Sequence, residues 1–599
     1  MTMWPFRTKY PEHKPEEVNG KEYDFVVVGG GTAGCVLASR LSEDPKVSVL
    51  LIERGPLNDS WMSRIPLLST DIFNPSTGAV SWDCEPLKYC DDRVTQLYCG
   101  EVMGGTSRIN GMVYTRGNPA EYEAWAALGY PNWSYEKVLP YFIKSEKHVH
   151  QYWQKWRGIS GPWINKSIVY AEWVFNAFRA FLDAATANGF PLVLDGSSPK
   201  APNEGVVVVD STINKRSERV STLQAFLPHD VVSKRSNLTI CTKAVVSRLT
   251  FVMEDGRPRP DEVLLRHSDS KSEVVYSVKV KKEVIVCSGT FGSPPLLMRS
   301  GIGPRKHLEE HKIVVVRDLE GVGFNLKDHH GFPLVWETPL NESLSEAMVH
   351  PFKKALPEMV KYILHGTGIF SMPSQHIALF ARSRAISDDG SEYKFAGDNT
   401  NAEPSDNLPD LELIPAAIST IDKPGEQGRS DQRLGTVSIL ATYLVPESSG
   451  SIRLSSTNLF DRPKVDFGFL SNPADYIVLR KAIRLSLKLA EIMKASGFPL
   501  LNNITYPEAS QQKDAENGND DELDRLIRQY IRSVFHWSCT CKMGSEDDLG
   551  VVDEELKVHG VTGLRICDAS IFPKGLSAHL QAPVVMVAER CADFIKSGM

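Results

Sequence analysis

The sequence predicts an α/β fold built on a parallel sheet, joined to a second, α+β unit built on an antiparallel sheet. Three observations predict it. Near the start, the apolar run Phe25-Val26-Val27-Val28 reads as a strand buried on both faces. It leads through a glycine-rich turn and a helix-like segment, residues 35–41, into a second apolar run, residues 47–52. Far downstream, strand-like stretches such as residues 435–441 and 450–454 precede a long amphipathic helix over residues 476–494. At 599 residues the chain exceeds what one hydrophobic core supports, so two or more structural units are expected.

The turn after the first strand, Gly29-Gly30-Gly31-Thr32-Ala33-Gly34, fits the pattern G-x-G-x-x-G. Its glycines divide the work: a tight turn, close backbone approach to a pyrophosphate, and helix–strand packing. The helix that starts after Gly31 offers unpaired N–H groups to phosphate oxygens. Glu53, nineteen residues past Gly34, closes the second strand where a carboxylate can hold ribose hydroxyls. A glycine pattern between two strands, with an acid ending the second, marks a Rossmann-like dinucleotide site.

Composition narrows the function class. A 42% hydrophobic and 24% charged chain is that of a soluble globular protein. The net charge of −7 is spread out with no basic block, which argues against nucleic acid as a partner. No run approaches the roughly eighteen apolar residues of a membrane span. The first twenty residues are polar, contain Pro5, Pro11 and Pro15, and lack the apolar core of a secretion signal. They are expected to form a disordered or loosely attached leader, and a cytoplasmic location is favoured. The six N-x-S/T sequons, at Asn58, Asn132, Asn165, Asn237, Asn341 and Asn503, are discounted on the same ground. Ten cysteines are too sparse for a disulfide scaffold, and Cys539-Thr540-Cys541 has no partner pair at zinc spacing. Buried thiols and no metal site are expected.

Further along, Gly104-Gly105-Thr106-Ser107 lets the backbone pass close to a flat ligand. Tyr122, Trp125, Val138, Tyr141 and Phe142 recur at helical spacing and read as packing. Residues 148–206 read as an irregular, aromatic-rich excursion, a candidate lid. Short strands follow at residues 238–240, 245–246 and 284–287, with a turn at residues 254–258. After Ser288-Gly289 a helix begins with Pro294 and Pro295 in its early turns and stops at residues 300–304. The polar tract 386–407 reads as a surface loop. The C-terminus returns to strand–turn–helix: Leu564-Arg565-Ile566-Cys567, then Asp568-Ala569-Ser570, then a helix with Pro583 near its start.

In this order the motifs resemble the glucose–methanol–choline (GMC) family of flavin oxidoreductases over nearly the whole chain after Tyr23. Residues 100–112 match the first family signature and residues 289–303 the second. Gly323-Phe324-Asn325-Leu326-Lys327-Asp328-His329, Asn118-Pro119 and Trp133-Ser134 match further recurring pieces, as does Leu139-Pro140-Tyr141-Phe142. His536-Trp537-Ser538-Cys539-Thr540-Cys541-Lys542-Met543-Gly544 and Ala578-His579-Leu580-Gln581-Ala582-Pro583 match the catalytic tail. The resemblance implies FAD. Gly29, Gly31, Thr32, Ala33, Gly34 and Glu53 would bind its ADP part. Gly104 would bind the cofactor, and Asn110, Gly111, Met112 and Val113 would lie along the isoalloxazine ring. Val245 would meet adenine through its backbone, and Asp568 and Ala569 would meet the ribityl–pyrophosphate part. The helix after Pro583 would point its N-terminus at the flavin pyrimidine ring, where negative charge gathers on reduction.

The resemblance further implies oxidation of an alcohol CH–OH to a carbonyl. Flavin N5 would accept the hydride, and His536 would serve as the base at an ordinary imidazole pKa of about 6.5. His579 would sit beside it, holding the substrate oxygen. His329 and His330 are expected to be structural. Some members attach FAD covalently through a histidine; that position is Ile109 here, so the cofactor is expected to be non-covalent. Cys99, Cys539 and Gln581 depart from the common Arg, Gly and Asn. The implied division is an FAD-binding region over residues 21–330, a substrate-binding region over 331–535 and a catalytic tail over 536–599. Trp537 and the aromatic excursion favour an apolar or aromatic alcohol, with oxygen or another electron acceptor and a setting in secondary metabolism. The alternative is a lyase or cyclase of the same fold that keeps FAD without net redox turnover.

Overall fold

The computed structural model describes residues 10–149, 154–167, 173–269, 273–373, 375–390, 392–394, 408–421, 434–505 and 520–598. Most of the tract 386–407 therefore lies outside the described residues. The fold is mixed α/β and rests on two seven-stranded sheets.

The first sheet grows from the apolar runs near the N-terminus. Glu22–Val28 pairs in parallel with Val49–Ile52 on one side and Tyr276–Val286 on the other. Leu238–Cys241 extends it in parallel beyond Val49–Ile52. Val26, Val27 and the whole of Val49–Ile52 are buried, as a sheet covered on both faces requires. The helix Thr32–Leu41 covers one face and the C-terminal helix Gln581–Ser597 packs against it. From Tyr276–Val286 the sheet turns antiparallel through Arg257–His267 and Ala244–Glu254. These two are joined at Asp255-Gly256, both at positive φ. The short strand Leu564–Ile566, nearly three hundred residues later, pairs in parallel with Val284–Val286.

The second sheet is mainly antiparallel. Its order is Arg532–Ser533, His330–Pro339, Leu434–Tyr443, Leu411–Ala416, Ile377–Ala381, Gly205–Val208 and Leu192–Val193. Ala474–Ala495 lies across it, with Leu479, Ile483 and Leu487 among its buried residues. Two expectations need correction here. The described residues of 148–206 are more regular than the expected irregular excursion. They supply the strand Leu192–Val193 and the start of Gly205–Val208 to this sheet, and the helix Asn176–Ala187, which packs against Ala474–Ala495. Phe178, Phe181, Leu182 and Ala185 recur at helical spacing and are all buried; the Pro and Gly punctuation around them masked that period.

The leader is also not loose from Tyr10 onward. Tyr10 donates its hydroxyl to the Leu227 carbonyl at 2.9 Å, the His13 amide donates to Ile240 at 2.8 Å, and Val18 is fully buried. Pro15 and Val18, both buried, and main-chain hydrogen bonds to neighbouring strands hold a segment that composition marks as polar. All ten cysteines are free thiols, and all but Cys99 are buried.

Phe181→Ala, which empties a fully buried ring position between the helix and the second sheet, should cost about 3–5 kcal/mol. A lowered urea midpoint for the unfolding of this unit checks it.

Candidate active site

The glycine turn keeps its division of labour in three dimensions. Gly29 sits at φ 107°, closed to side chains, with Cys287 packed against it. A methyl group on Gly34 would run into the Gly29 carbonyl, so Gly34 lets helix and strand touch. Gly31 differs: a methyl group there would meet no protein atom closer than 3.9 Å. The space beside Gly31 is left open at the N-terminus of the ten-residue helix Thr32–Leu41. Glu53 accepts from the Gly30 and Gly55 amides, both at 2.7 Å, and burial pushes its carboxyl up to about 7. Its remaining lone pairs suit a hydroxyl-bearing ligand.

This turn and the two tail histidines open onto one cavity of about 1000 Å³. That is the upper end for a small-molecule site. Gly29, Gly31, Thr32, Ala33, Glu53, Asn110, Gly111, Met112, Val113, Val245, Asp568, Ala569, His536 and His579 all line it. Gly34 and Gly104 do not. Gly34 stands behind the turn, and Gly104, at φ 91°, donates its amide to the Gly30 carbonyl at 2.7 Å, bracing the turn from outside. The Asp568 side chain is also turned to structural use. It accepts from the Gly289 amide at 2.8 Å, the Ser293 hydroxyl at 2.6 Å and the Ser570 amide at 2.9 Å.

The stretch from Asn110 to Val113 is held from both sides. Asn110 donates to Gln581 Oε1 at 3.0 Å, and Gln581 donates to the Val113 carbonyl. The Gln at this departure from the family pattern therefore spans two elements. Arg219, which no sequence motif marks, is buried and donates to Ser69 Oγ at 2.8 Å, the Ser107 carbonyl at 3.0 Å, and both Asn110 Oδ1 and the Asn110 carbonyl at 2.8 and 2.5 Å.

The histidines converge from distant parts of the chain. His536 follows the edge strand Arg532–Ser533, and its amide donates to Asp328 Oδ1 at 3.0 Å. His579 precedes the C-terminal helix, its amide donating to Thr115 Oγ1 at 2.8 Å. Their rings stand edge to face with centroids 4.5 Å apart.

Hydrogen bonding sets the tautomers. His329 Nε2 lies 2.8 Å from the Leu576 carbonyl, which can only accept, so Nε2 carries the proton. Burial drives the His329 imidazole down to about 3, so it is neutral and its Nδ1 is a bare acceptor. His536 Nδ1 lies 2.8 Å from that atom and must donate to it. The lone pair of His536 is thereby placed on Nε2, on the ring edge away from His329. His579 Nε2 donates to Glu412 Oε1 at 3.0 Å. His330, buried among aromatic rings, stays outside this set.

Two partners were thus missed by sequence reasoning in different ways. His329 is structural in position, yet it sets the proton on His536. Glu412 left one trace, a lone carboxylate in the apolar strand Leu411-Glu412-Leu413-Ile414, fully buried. Cys539, where the family often has Gly, sits at φ 71°, so the backbone keeps the left-handed turn that Gly would take without strain.

Comparison with known proteins accords with this geometry. Residues 23–331 match the N-terminal GMC oxidoreductase family model, and residues 446–588 match the C-terminal one. The chain is 34% identical over 583 residues to an oxygen-dependent choline dehydrogenase of Pseudomonas fluorescens, covering 96% of this chain and 94% of that protein. A similar relative from Burkholderia cenocepacia is 33% identical over 581 residues, with the same coverage. Among solved structures, a formate oxidase superposes with a TM-score of 0.82 at 25% identity, covering 97% of this chain and 99% of the other. A fungal aryl-alcohol oxidase superposes at 0.79 and 25% identity, covering 96% and 99%. The protein is a GMC oxidoreductase, an FAD-dependent flavoprotein.

Proposed function

We propose that this enzyme oxidises an uncharged, apolar or aromatic alcohol to the carbonyl, with His536 as the base and FAD held without a covalent bond. The observation that carries the reading is the Leu576–His329–His536 chain. It leaves one imidazole lone pair, on Nε2, in a cavity wall shared with the glycine turn. Burial, then His579 and His329, hold the His536 imidazole well below its ordinary range, so the base is neutral far into the acid side.

The open face of Gly31, the Glu53 carboxylate and the Asn110–Val113 stretch fit FAD, which when bound supplies the hydride acceptor. His536 Nε2 takes the hydroxyl proton as the alcohol carbon gives up its hydride. His579, oriented by Glu412, holds the alcohol oxygen. Ile109, in the cavity wall, has no atom that could bond the flavin.

The substrate class rests on the wall near the histidines. Trp82 meets Phe291 at 5.6 Å between centroids, Phe291 meets Trp537 at 4.4 Å and Phe535 meets Trp537 at 5.7 Å. Of the acids in the wall, Glu53 and Asp568 are taken up by backbone amides and Glu101 by Arg462, while Asp71 and Asp461 lie exposed at the surface. Among the described residues that line it, the inner wall thus offers aromatic faces, and its acids either already hold partners or lie at the surface.

His536→Ala should keep its flavin and lose about 10²–10⁴-fold in the rate of anaerobic flavin bleaching by an aryl or alkyl alcohol. Bleaching at the wild-type rate would exclude His536, and turnover with no bleaching would point to a lyase or cyclase. Because the base pKa is lowered, protonation should not quench reduction until well under pH 6.5, so the stopped-flow rate should be flat from about pH 6 to 8. An acid limb centred at 6.5 or higher would contradict it. Gly31→Ala should change chain stability by under about 0.5 kcal/mol while lowering FAD content. The flavin of the wild type should leave the precipitated protein in acid, as a non-covalent cofactor must.

A further inference from the structure

The segment over residues 345–365 has two apolar faces, and the fold uses one. It consists of Ser345–Val349, a π-helical turn at Pro351–Ala355 and the helix Leu356–His365. Ala347, Met348 and Ala355 line the cavity, and Tyr362 is buried. On the outside, Phe352, Leu356, Val360 and Leu364 recur every four residues, and all are exposed, Phe352 by 83% and Leu364 by 68%. Met348 is 62% exposed and also lines the cavity, which makes this segment the cavity's rim. The apolar surface continues through exposed Trp61, whose ring lies 6.4 Å from that of Tyr362, and the adjoining Met62. Single exposed apolar residues are ordinary; a helical stripe of them beside a cavity mouth is not.

The charges around the stripe point to its occupant. Lys353 and Lys361 are exposed on the same segment. Lys215 and Arg216 are exposed on the loop against which Gly366 packs. The acids on the segment are engaged: Glu346 pairs with Lys354 at 2.8 Å, and Glu358 accepts the Ile369 amide at 3.0 Å and lies 3.9 Å from Lys361. Asp71, exposed elsewhere in the cavity wall, accepts the Phe73 amide at 3.1 Å. Cations therefore border the apolar stripe in a chain whose net charge is −7. A second copy docked symmetrically on this face would set like-charged lysines against each other. An apolar face with a cationic border matches the boundary between acyl chains and anionic headgroups.

We propose that residues 345–365 dock the protein onto an anionic lipid surface, with the cavity mouth facing the lipid. The delivery of a lipid-dissolved alcohol through that mouth rests on the apolar-alcohol reading; the docking does not.

Full-length, FAD-loaded protein should co-sediment with vesicles of phosphatidylcholine and phosphatidylserine. It should bind phosphatidylcholine alone more weakly, and salt should lower the bound fraction. Phe352→Asp with Leu356→Asp should lower vesicle partitioning by about tenfold or more while keeping flavin absorbance. Lys353→Glu with Lys361→Glu should remove the preference for phosphatidylserine. Wild-type protein left in the supernatant, or the aspartate variant sedimenting like wild type, would overturn the proposal. So would sedimentation velocity showing a dimer that this variant disperses. Vesicle binding is read without turnover, so an enzyme that binds vesicles yet reduces its flavin with no alcohol would overturn the substrate reading and leave the docking supported.

Discussion

The architecture turns on a short ladder near the C-terminus. Leu564–Ile566 joins the first sheet beside Val284–Val286. The residues just after it then receive the amides of Cys539, Cys541 and Met543, which donate to Ala569, Ser570 and Ile571 at 3.1, 2.8 and 2.8 Å. Through that ladder the segment bearing His536 is fastened to the segment leading to His579. Without it, each histidine would belong to a different unit: His536 to the edge of the antiparallel sheet, His579 to the helix that packs on the parallel one. Backbone hydrogen bonds in a buried ladder must be made somewhere, and here they are made between two pieces of tail.

The two units meet at the imidazoles, and the antiparallel one supplies both partners. The antiparallel sheet contributes Glu412, which orients His579, and the strand His330–Pro339 begins just after His329, which orients His536. Polar groups so deeply buried are tolerated because each is hydrogen-bonded, and that requirement fixes which nitrogen holds each proton. The same wall is otherwise aromatic and aliphatic, which keeps the surroundings poorly polar and drives the imidazoles toward their neutral forms. A base poised by burial and an apolar substrate path are thus two results of one composition.

The first unit was legible in the sequence because its signals are local. Val26 to Gly34 spans one strand, one turn and the start of one helix, and each glycine answers a constraint within a few residues or against one neighbour. The long helix over 476–494 was legible for the same reason and extends by a residue or two at each end, Ala474–Ala495. The helix Asn176–Ala187 was overlooked although its apolar period is present, since aromatic residues and nearby turn formers dominate the stretch. Tyr10 to Gly20 was misread because a polar segment can still be held by a buried proline and valine and hydrogen bonds to strands far away in sequence.

By itself the sequence determined the nucleotide-type turn, the acid that closes it, the pair of strand–turn–helix units at the two ends, and the resemblance that singled out His536 and His579. Those features depend on near neighbours along the chain or on motif order. The tertiary structure decided that Gly34 and Gly104 brace the turn and do not face the cavity, that Asp568 spends its carboxylate on amides, and that Glu412, Arg219 and His329 belong to the site. It also decided which side of residues 345–365 is left outside. Each of these is a matter of which distant groups come within hydrogen-bond or van der Waals reach: 109 residues separate Asn110 from Arg219, 167 separate Glu412 from His579 and 207 separate His329 from His536. Packing closes these gaps, which leaves no spacing rule in the chain to read.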